Sequence, residues 1–237
     1  MIADFHSHIL PGIDDGSKSV EESLSMLRLE VTQGIHHVVA TPHFYARYDD
    51  PEKFLTRREE AVNKLLTAME GEPQMPKLSV GAEVYYFQGI SDCDVLQQLT
   101  IDQKRYILIE MPHVPWTDRM YRELQDIHYK LGLIPIIAHV DRYMKPFQTF
   151  GIPERLAELP VLVQANADFF LRPMTRGLAL RLLGIGAIHL LGSDCHNLTT
   201  RAPNLDRALQ IIQKRLGPEA LAQIQACADE VLFGEGE

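Results

Sequence analysis

The stretch YILIEMPHVPWTDRMYRELQDIHYKLGLIPIIAH, residues 106–139, decides the fold. It opens with a short apolar, β-branched run over 106–110 and passes through a helix-like segment from Asp118 to Leu131. It then returns to a second such run, IPIIA, over 134–138. Strand-like runs alternating with helices are the pattern of a parallel α/β fold. Each run is closed by a group with metal- or proton-binding chemistry, Glu110 for the first and His139 for the second.

Outward from this unit the pattern repeats. Further runs at IADF (2–5), HHVVA (36–40), LSVGA (78–82), VLVQA (161–165) and AIHLL (187–191) bring the candidate strands to seven. Ser19 followed by Glu22 reads as a capping box. Leu24, Leu27 and Val31 then recur at helical spacing until Gly34. From Pro51 to Met69 charged residues alternate with Phe54, Ala61, Leu65 and Leu66, giving one buried stripe and one wet face. Arg176–Leu183, Pro203–Leu216 and Glu219–Leu232 read as helices too. Seven parallel strands with crossover helices close most easily into a (β/α) barrel of seven units; an open doubly wound sheet is the alternative. The 237 residues suit one domain, 1–237.

Composition narrows the function classes. Hydrophobic residues at 46% and charged residues at 23% exclude disorder. Lys+Arg 23 against Asp+Glu 32 gives a formal charge of -9, which argues against a general nucleic-acid or anionic-membrane binder, because phosphate backbones need a basic face. No apolar run approaches the roughly 18 residues that would span a bilayer, and MIADFHSHILPG carries no cationic region ahead of an apolar stretch. Cys93, Cys195 and Cys227 make an odd count without a CxxC pair, so no disulfide framework is expected. The expectation is a soluble, cytoplasmic protein with reduced thiols.

Ten histidines stand out on this acidic chain. His6 and His8, with Asp14 and Asp15 beyond them, follow the first strand; His43 follows the second and Glu83 the third. Glu110 ends the fourth, His139 follows the fifth, and Asp194 and His196 follow the seventh. Every group lands at a carboxyl end, and in a parallel barrel those ends form the one face where active sites are built. His6 and His8 are two apart on an extended segment, so their rings point the same way, and Asp194 and His196 are expected to repeat that geometry. Imidazoles with carboxylates and no thiolate cluster suit Zn, Mn or Fe, and the set is too large for one tetrahedral site. Two or three ions are the natural reading. A lone His or Glu at a strand end is usually a surface or capping group, and His36, His37, His113, His128 and His189 are assigned structural roles.

A rival reading comes from Cys195 to Arg201, which fits the C-x5-R spacing of cysteine-dependent tyrosine phosphatases. Such a thiolate needs a lowered pKa and a ring of free backbone N–H groups. This loop lacks the necessary glycines, and on an extended segment Cys195 points away from its two neighbours.

The motifs DFHSHILPGIDDG, TPH, GAE, IPIIAHVDRY and GSDCHN resemble those of the PHP (polymerase and histidinol phosphatase) superfamily. Within it the chain is most similar to the CpsB-type bacterial protein-tyrosine phosphatases of capsule and exopolysaccharide operons, from residue 1 to about 205. The resemblance implies a distorted (β/α)7 barrel with three divalent ions, often manganese. It implies one ion on His6, His8 and Asp194, with Glu83 bridging to a second on Glu110 and His139. A third would lie on Asp15, His43 and His196, Asp15 being preferred to Asp14 because the family's acid directly precedes the glycine. Other branches usually place a histidine where Glu110 stands. Arg142 and Arg201 match arginines thought to hold the phosphate.

On this reading about four negative charges face about six positive ones, so a cationic pocket forms in an acidic protein. Attack on phosphorus by a metal-bound hydroxide follows, with the phosphoryl oxygens clamped by metals and arginines. The implied partner is a phosphotyrosine protein, a bacterial tyrosine autokinase. Phe44, Tyr45, Phe169 and Phe170 follow strand ends and either flank the substrate ring or simply pack. The alternatives are a phosphatase of a small phosphomonoester of the histidinol-phosphate type, an exonuclease, and a non-catalytic phosphotyrosine-binding regulator.

Overall fold

In the computed structural model, which describes residues 2–144 and 151–234, nine short strands alternate with helices. The strands are β1 (Ala3–Ser7), β2 (His37–Ala40), β3 (His43–Phe44), β4 (Lys77–Val80), β5 (Glu83–Tyr85), β6 (Tyr106–Glu110), β7 (Ile134–Ile137), β8 (Leu162–Asn166) and β9 (Leu190–Gly192). The first helices are α1 (Val20–Thr32), α2 (Pro51–Met69), α3 (Leu96–Leu99) and α4 (Asp118–Leu131). After them come α5 (Ile152–Ala157), α6 (Ala167–Leu171), α7 (Pro173–Gly184), α8 (Leu205–Leu216) and α9 (Pro218–Phe233).

All strand pairs are parallel, in the orders β1-β2-β4 and β3-β5-β6-β7-β8-β9. The two sheets are one curled wall. Pro42 has no N–H to give a ladder, so the second strand position breaks into β2 and β3, and the third into β4 and β5 beside it. Gly81 N–H donating to Ala40 O (2.9 Å) and Glu83 N–H donating to Pro42 O (3.0 Å) carry the pairing across the break. At the other edge Asp194 N–H donates to His6 O (2.7 Å) and His8 N–H to Cys195 O (2.9 Å), joining the last strand to the first. Seven strand positions thus close into a distorted barrel, with the two interrupted positions accounting for nine segments.

The helix ends follow their caps. Ser19 accepts from Glu22 N–H at the start of α1, and Asp50 accepts from Lys53 N–H at the start of α2. Glu22 turns to Lys18 N–H (2.8 Å) rather than closing the expected box onto Ser19. The helix expected from Pro203 starts at Leu205, and the one expected from Arg176 starts at Pro173, which suits a first helical position.

Alternate residues fill the barrel. Ala3, Phe5, Val39, Tyr106, Leu108, Ile136 and Leu190 form an inner cluster with Val231 and Leu232 of α9, while Val38, Ile107, Ile109 and Ile137 face the helices. Strict alternation would put Asp4, His6 and His8 on one face. The β1–β2 register slips between Asp4 and Ser7, so Phe5 and His6 together stand opposite Val39. This bulge re-aims the strand: Asp4 keeps company with Glu30 of α1, and His6 reaches the mouth with His8. No described helix is long and apolar enough to cross a membrane.

Candidate metal centre

Glu83, at the start of β5, is the hub of the barrel mouth. Its Oε2 lies 3.1 Å from His6 Nε2, 3.3 Å from His8 Nε2 and 2.9 Å from His43 Nδ1. Its Oε1 lies 2.8 Å from His139 Nε2, which is 3.4 Å from Glu110. Asp194 Oδ1 approaches His6, His8 and His196 at 3.6, 3.5 and 3.7 Å. At the solvent side Asp15 stands 3.5 Å from His43 Nε2 and 3.4 Å from His196 Nε2. All nine side chains singled out as ligands therefore meet at one mouth, from every strand position except that of β8.

Three groupings at the mouth are compact enough to share a cation: His6, His8 and Asp194; His8, Asp15, His43 and His196; and His43, Glu83 and Glu110. They overlap at His8 and His43, whereas the resemblance implied sets joined only through Glu83, with His139 rather than His43 beside Glu110. The donor set fits divalent cations. His43 Nδ1, Glu83 Oε2 and His196 Nε2 are buried without a hydrogen bond among the described residues, and His6 Nε2 faces His8 Nε2 at 3.2 Å. Ring nitrogens and carboxylate oxygens this close in a dry mouth are stable only around positive charge, whether a proton or a metal ion.

A family model described as capsular polysaccharide synthesis, CpsB/CapC, matches residues 2–232. The chain belongs to the CpsB/CapC family. The tyrosine-protein phosphatase YwqE of Bacillus subtilis is 31% identical over 224 residues, covering 91% of this chain and 85% of that protein. The tyrosine-protein phosphatase CpsB of Streptococcus pneumoniae is 28% identical, covering 93% of each. A crystal structure from work on YwqE and CpsB, described as metal-dependent tyrosine phosphatases, superposes with a TM-score of 0.87 at 26% identity, covering 99% of this chain and 96% of that one. A histidinol-phosphatase candidate from Listeria monocytogenes shares the fold at a TM-score of 0.52 and 12% identity, covering 82% of this chain and 95% of that one.

The electrostatics of this CpsB/CapC mouth favour cations. Burial opposes charge on His8, yet Asp14 and Glu83 raise its pKa to about 10. Burial likewise opposes charge on His139, and Glu110 and Glu83 raise it to about 9. Glu83 is driven well below the usual carboxylate range despite burial, by the His6 ring and the His139 hydrogen bond. His196 is pushed down by burial and by His8 and Arg201. The acids draw protons onto the nearest rings, a preference that a divalent ion satisfies in the same place.

Both predicted arginines reach the mouth, and both end on Asp194: Arg142 on Oδ2 (2.5 Å) and Arg201 on Oδ1 (2.7 Å). Arg142 also contacts Glu110 at 3.3 Å. Together with Asp194 they line a cavity of about 510 Å³.

Several expectations need correction. The strand ends at Gly192 and Asp194 has φ 55, so Asp194 and His196 converge through a left-handed turn rather than an extended segment. His139, at φ 32, is similarly placed; such backbone at a non-glycine residue is characteristic of functional sites. Of the two alternatives for the aromatic residues, Phe44, Phe169 and Phe170 take the packing one, fully buried in the core, while Tyr45 stands at the mouth, 5.2 Å from the His43 ring and 5.7 Å from Tyr85. Asp14, passed over as a ligand, accepts from His8 Nδ1 (2.8 Å), Gly16 N–H and His43 N–H. It thereby fixes which His8 nitrogen faces the mouth. The neighbouring glycine of the DDG motif was the available signal: a Cβ on Gly16 would lie 2.2 Å from His8 O.

The histidines given structural roles stay outside the mouth groupings. His37 pairs with Ser79 (2.7 Å), His128 with Leu133 O, and His189 accepts from Val163 N–H; His113 stands edge-on to Tyr143 and His36 is exposed. Cys195 is fully buried, and its thiol is pushed well above the normal range by burial and by Glu30 and Asp4. That is the opposite of what a nucleophilic thiolate needs.

Proposed function

We propose that this chain is a metal-dependent protein-tyrosine phosphatase, a phosphoric monoester hydrolase acting as a single domain over residues 1–237. Its partner is a phosphotyrosine protein, a bacterial tyrosine autokinase of capsule or exopolysaccharide synthesis, met in the cytoplasm. The observation that carries this reading is the meeting of two arginines on Asp194, at the edge of a mouth where Glu83 stands among four imidazoles. The family and the named phosphatases it contains support it.

The overlapping groupings at the mouth support a multinuclear centre, which we assign as three divalent ions with manganese first among them. His6, His8 and Asp194 would hold one, Glu83 with Glu110 and His139 a second, and Asp15, His43 and His196 a third. Such ions supply Lewis acidity and charge neutralisation for phosphoryl transfer to water.

The remaining steps belong to the chain. A guanidinium carries five donors, so Arg142 and Arg201 keep free N–H groups for phosphoryl oxygens while Asp194 holds them in place. Tyr45 and Tyr85 form an aromatic wall on the Glu110 side for the substrate ring. Tyrosinate leaves readily, so no strong general acid is required.

The test is a specificity panel with manganese present: phosphotyrosine peptide, phosphoserine peptide, histidinol phosphate and single-stranded DNA. Phosphotyrosine should be preferred, chelation should abolish the activity and manganese should restore it; preference for any other substrate overturns the reading. Arg201→Ala should lower kcat/KM on the order of 10²-fold with metal content retained. Loss of the metals instead would reassign Arg201.

A further inference from the structure

Of the seven strand positions only that of β8 contributes no ligand-type side chain, yet its inward face carries two buried amides, Gln164 and Asn166. They are two apart on a strand, so both point into the barrel. We propose that Gln164 and Asn166 are positioning residues for the metal centre: they set the ring tautomer of His6, pin the backbone at His139 and orient Asp194. The inference rests on the ligand assignment above.

The geometry is a short relay. Gln164 Oε1 accepts the His139 N–H at 2.6 Å and stands 3.3 Å from His6 Nδ1. Gln164 Nε2 donates to Asn166 Oδ1 (3.0 Å), and Asn166 Nδ2 donates to Asp194 Oδ2 (3.0 Å). This fixes the amide orientation, because a swap at Gln164 would set an NH2 against the His139 N–H. A carbonyl oxygen cannot donate, so His6 Nδ1 must carry the proton. Its Nε2 then faces Glu83 Oε2, His8 Nε2 and Asp194 Oδ1, where either a second proton or a cation would lie. The bond at His139 N–H holds a residue whose backbone is left-handed.

Gly192 makes the relay possible. A Cβ there would fall 2.5 Å from His6 Cβ and 2.8 Å from Gln164 Nε2, so the glycine leaves room for ring and amide side by side. One amide pair thus couples three ligands that come from three different strand ends. Outer partners of this kind typically govern metal affinity by about 10–100-fold.

The experiment measures Mn(II) affinity by calorimetry and the His6 tautomer by nitrogen-15 NMR of the metal-free protein. The parent should show His6 protonated at Nδ1; a ring protonated at Nε2 alone overturns the proposal whatever the variants do. Gln164→Leu should weaken Mn(II) binding by about 10–100-fold and mix the His6 tautomers. Gln164→Glu, which keeps the acceptor oxygen, should restore the Nδ1–H tautomer and most of the affinity. A folded Gln164→Leu variant with parental affinity and tautomer overturns the positioning role alone. A parent that binds no Mn(II) overturns the metal assignment beneath it.

Discussion

Two buried acid clusters flank the first strand, and their neighbours treat them in opposite ways. At the mouth, Glu83 sits among His6, His8, His43 and His139 and is held ionised. On the helix side of β1, Glu30 and Asp4 lie with Cys195, and no cationic group among the described residues offsets their burial. Burial pushes both carboxyls up, Glu30 well above its ordinary value, with Asp4 adding to the effect. Both Glu30 oxygens and Asp4 Oδ2 lack any other hydrogen-bond partner among the described residues, so the two carboxyls share a proton. Asp4 Oδ1 accepts from His6 N–H (3.0 Å) and Ser193 N–H (2.9 Å), tying the first and last strands together. Three ligand-type groups within reach of each other are therefore not by themselves a metal site. Imidazole neighbours keep one cluster ionised, and their absence leaves the other a proton-sharing structural brace.

The contrast can be broken most severely at its charged side. Glu83→Gln should cut phosphatase activity to below about 1% of parent and lower metal content, since even outer-shell losses cost 10–100-fold. Retained activity and metal, read by elemental analysis, would end the view of Glu83 as the hub. Glu30→Gln should leave metal content intact and alter the pH dependence of stability. The folded protein keeps the Glu30 proton while the unfolded chain releases it above its ordinary value of 4.5. Stability of the parent accordingly falls as pH rises through that range, by up to about 1.4 kcal/mol per pH unit, and Glu30→Gln should flatten the slope. Parallel Tm-against-pH curves between pH 5 and 8 would show Glu30 to be ionised. The smallest effect is expected from Cys195→Ala, which removes one buried atom at about 1 kcal/mol of stability and leaves activity near parent. An inactive but folded, metal-loaded variant would revive the thiolate mechanism.

The convergence of the nine candidate side chains was legible because each lies at the end of a recognisable strand, and a parallel barrel gathers strand ends. Less visible were β3 and β5, of two and three residues, which begin at His43 and Glu83 themselves and are too short for any periodicity. Gln164 was hidden inside the apolar run VLVQA, where a polar residue on an inward position was the one available sign. The bulge at Phe5 and His6 has no local signature either, because DFHSH reads equally well as an unbroken strand.

The amino-acid sequence by itself determined the order of strands and helices, the closing of helices by their caps, and the placement of histidines and acids at strand ends. Those features depend on neighbours a few positions apart. Tertiary structure decided which face each residue meets and which acids keep their charge. Asp4 and Ser193 bond across 189 positions, and burial and neighbouring charges exist only once the ring of strands has closed. The same carboxyl chemistry therefore becomes an ionised hub among imidazoles at Glu83 and a proton-sharing brace at Glu30.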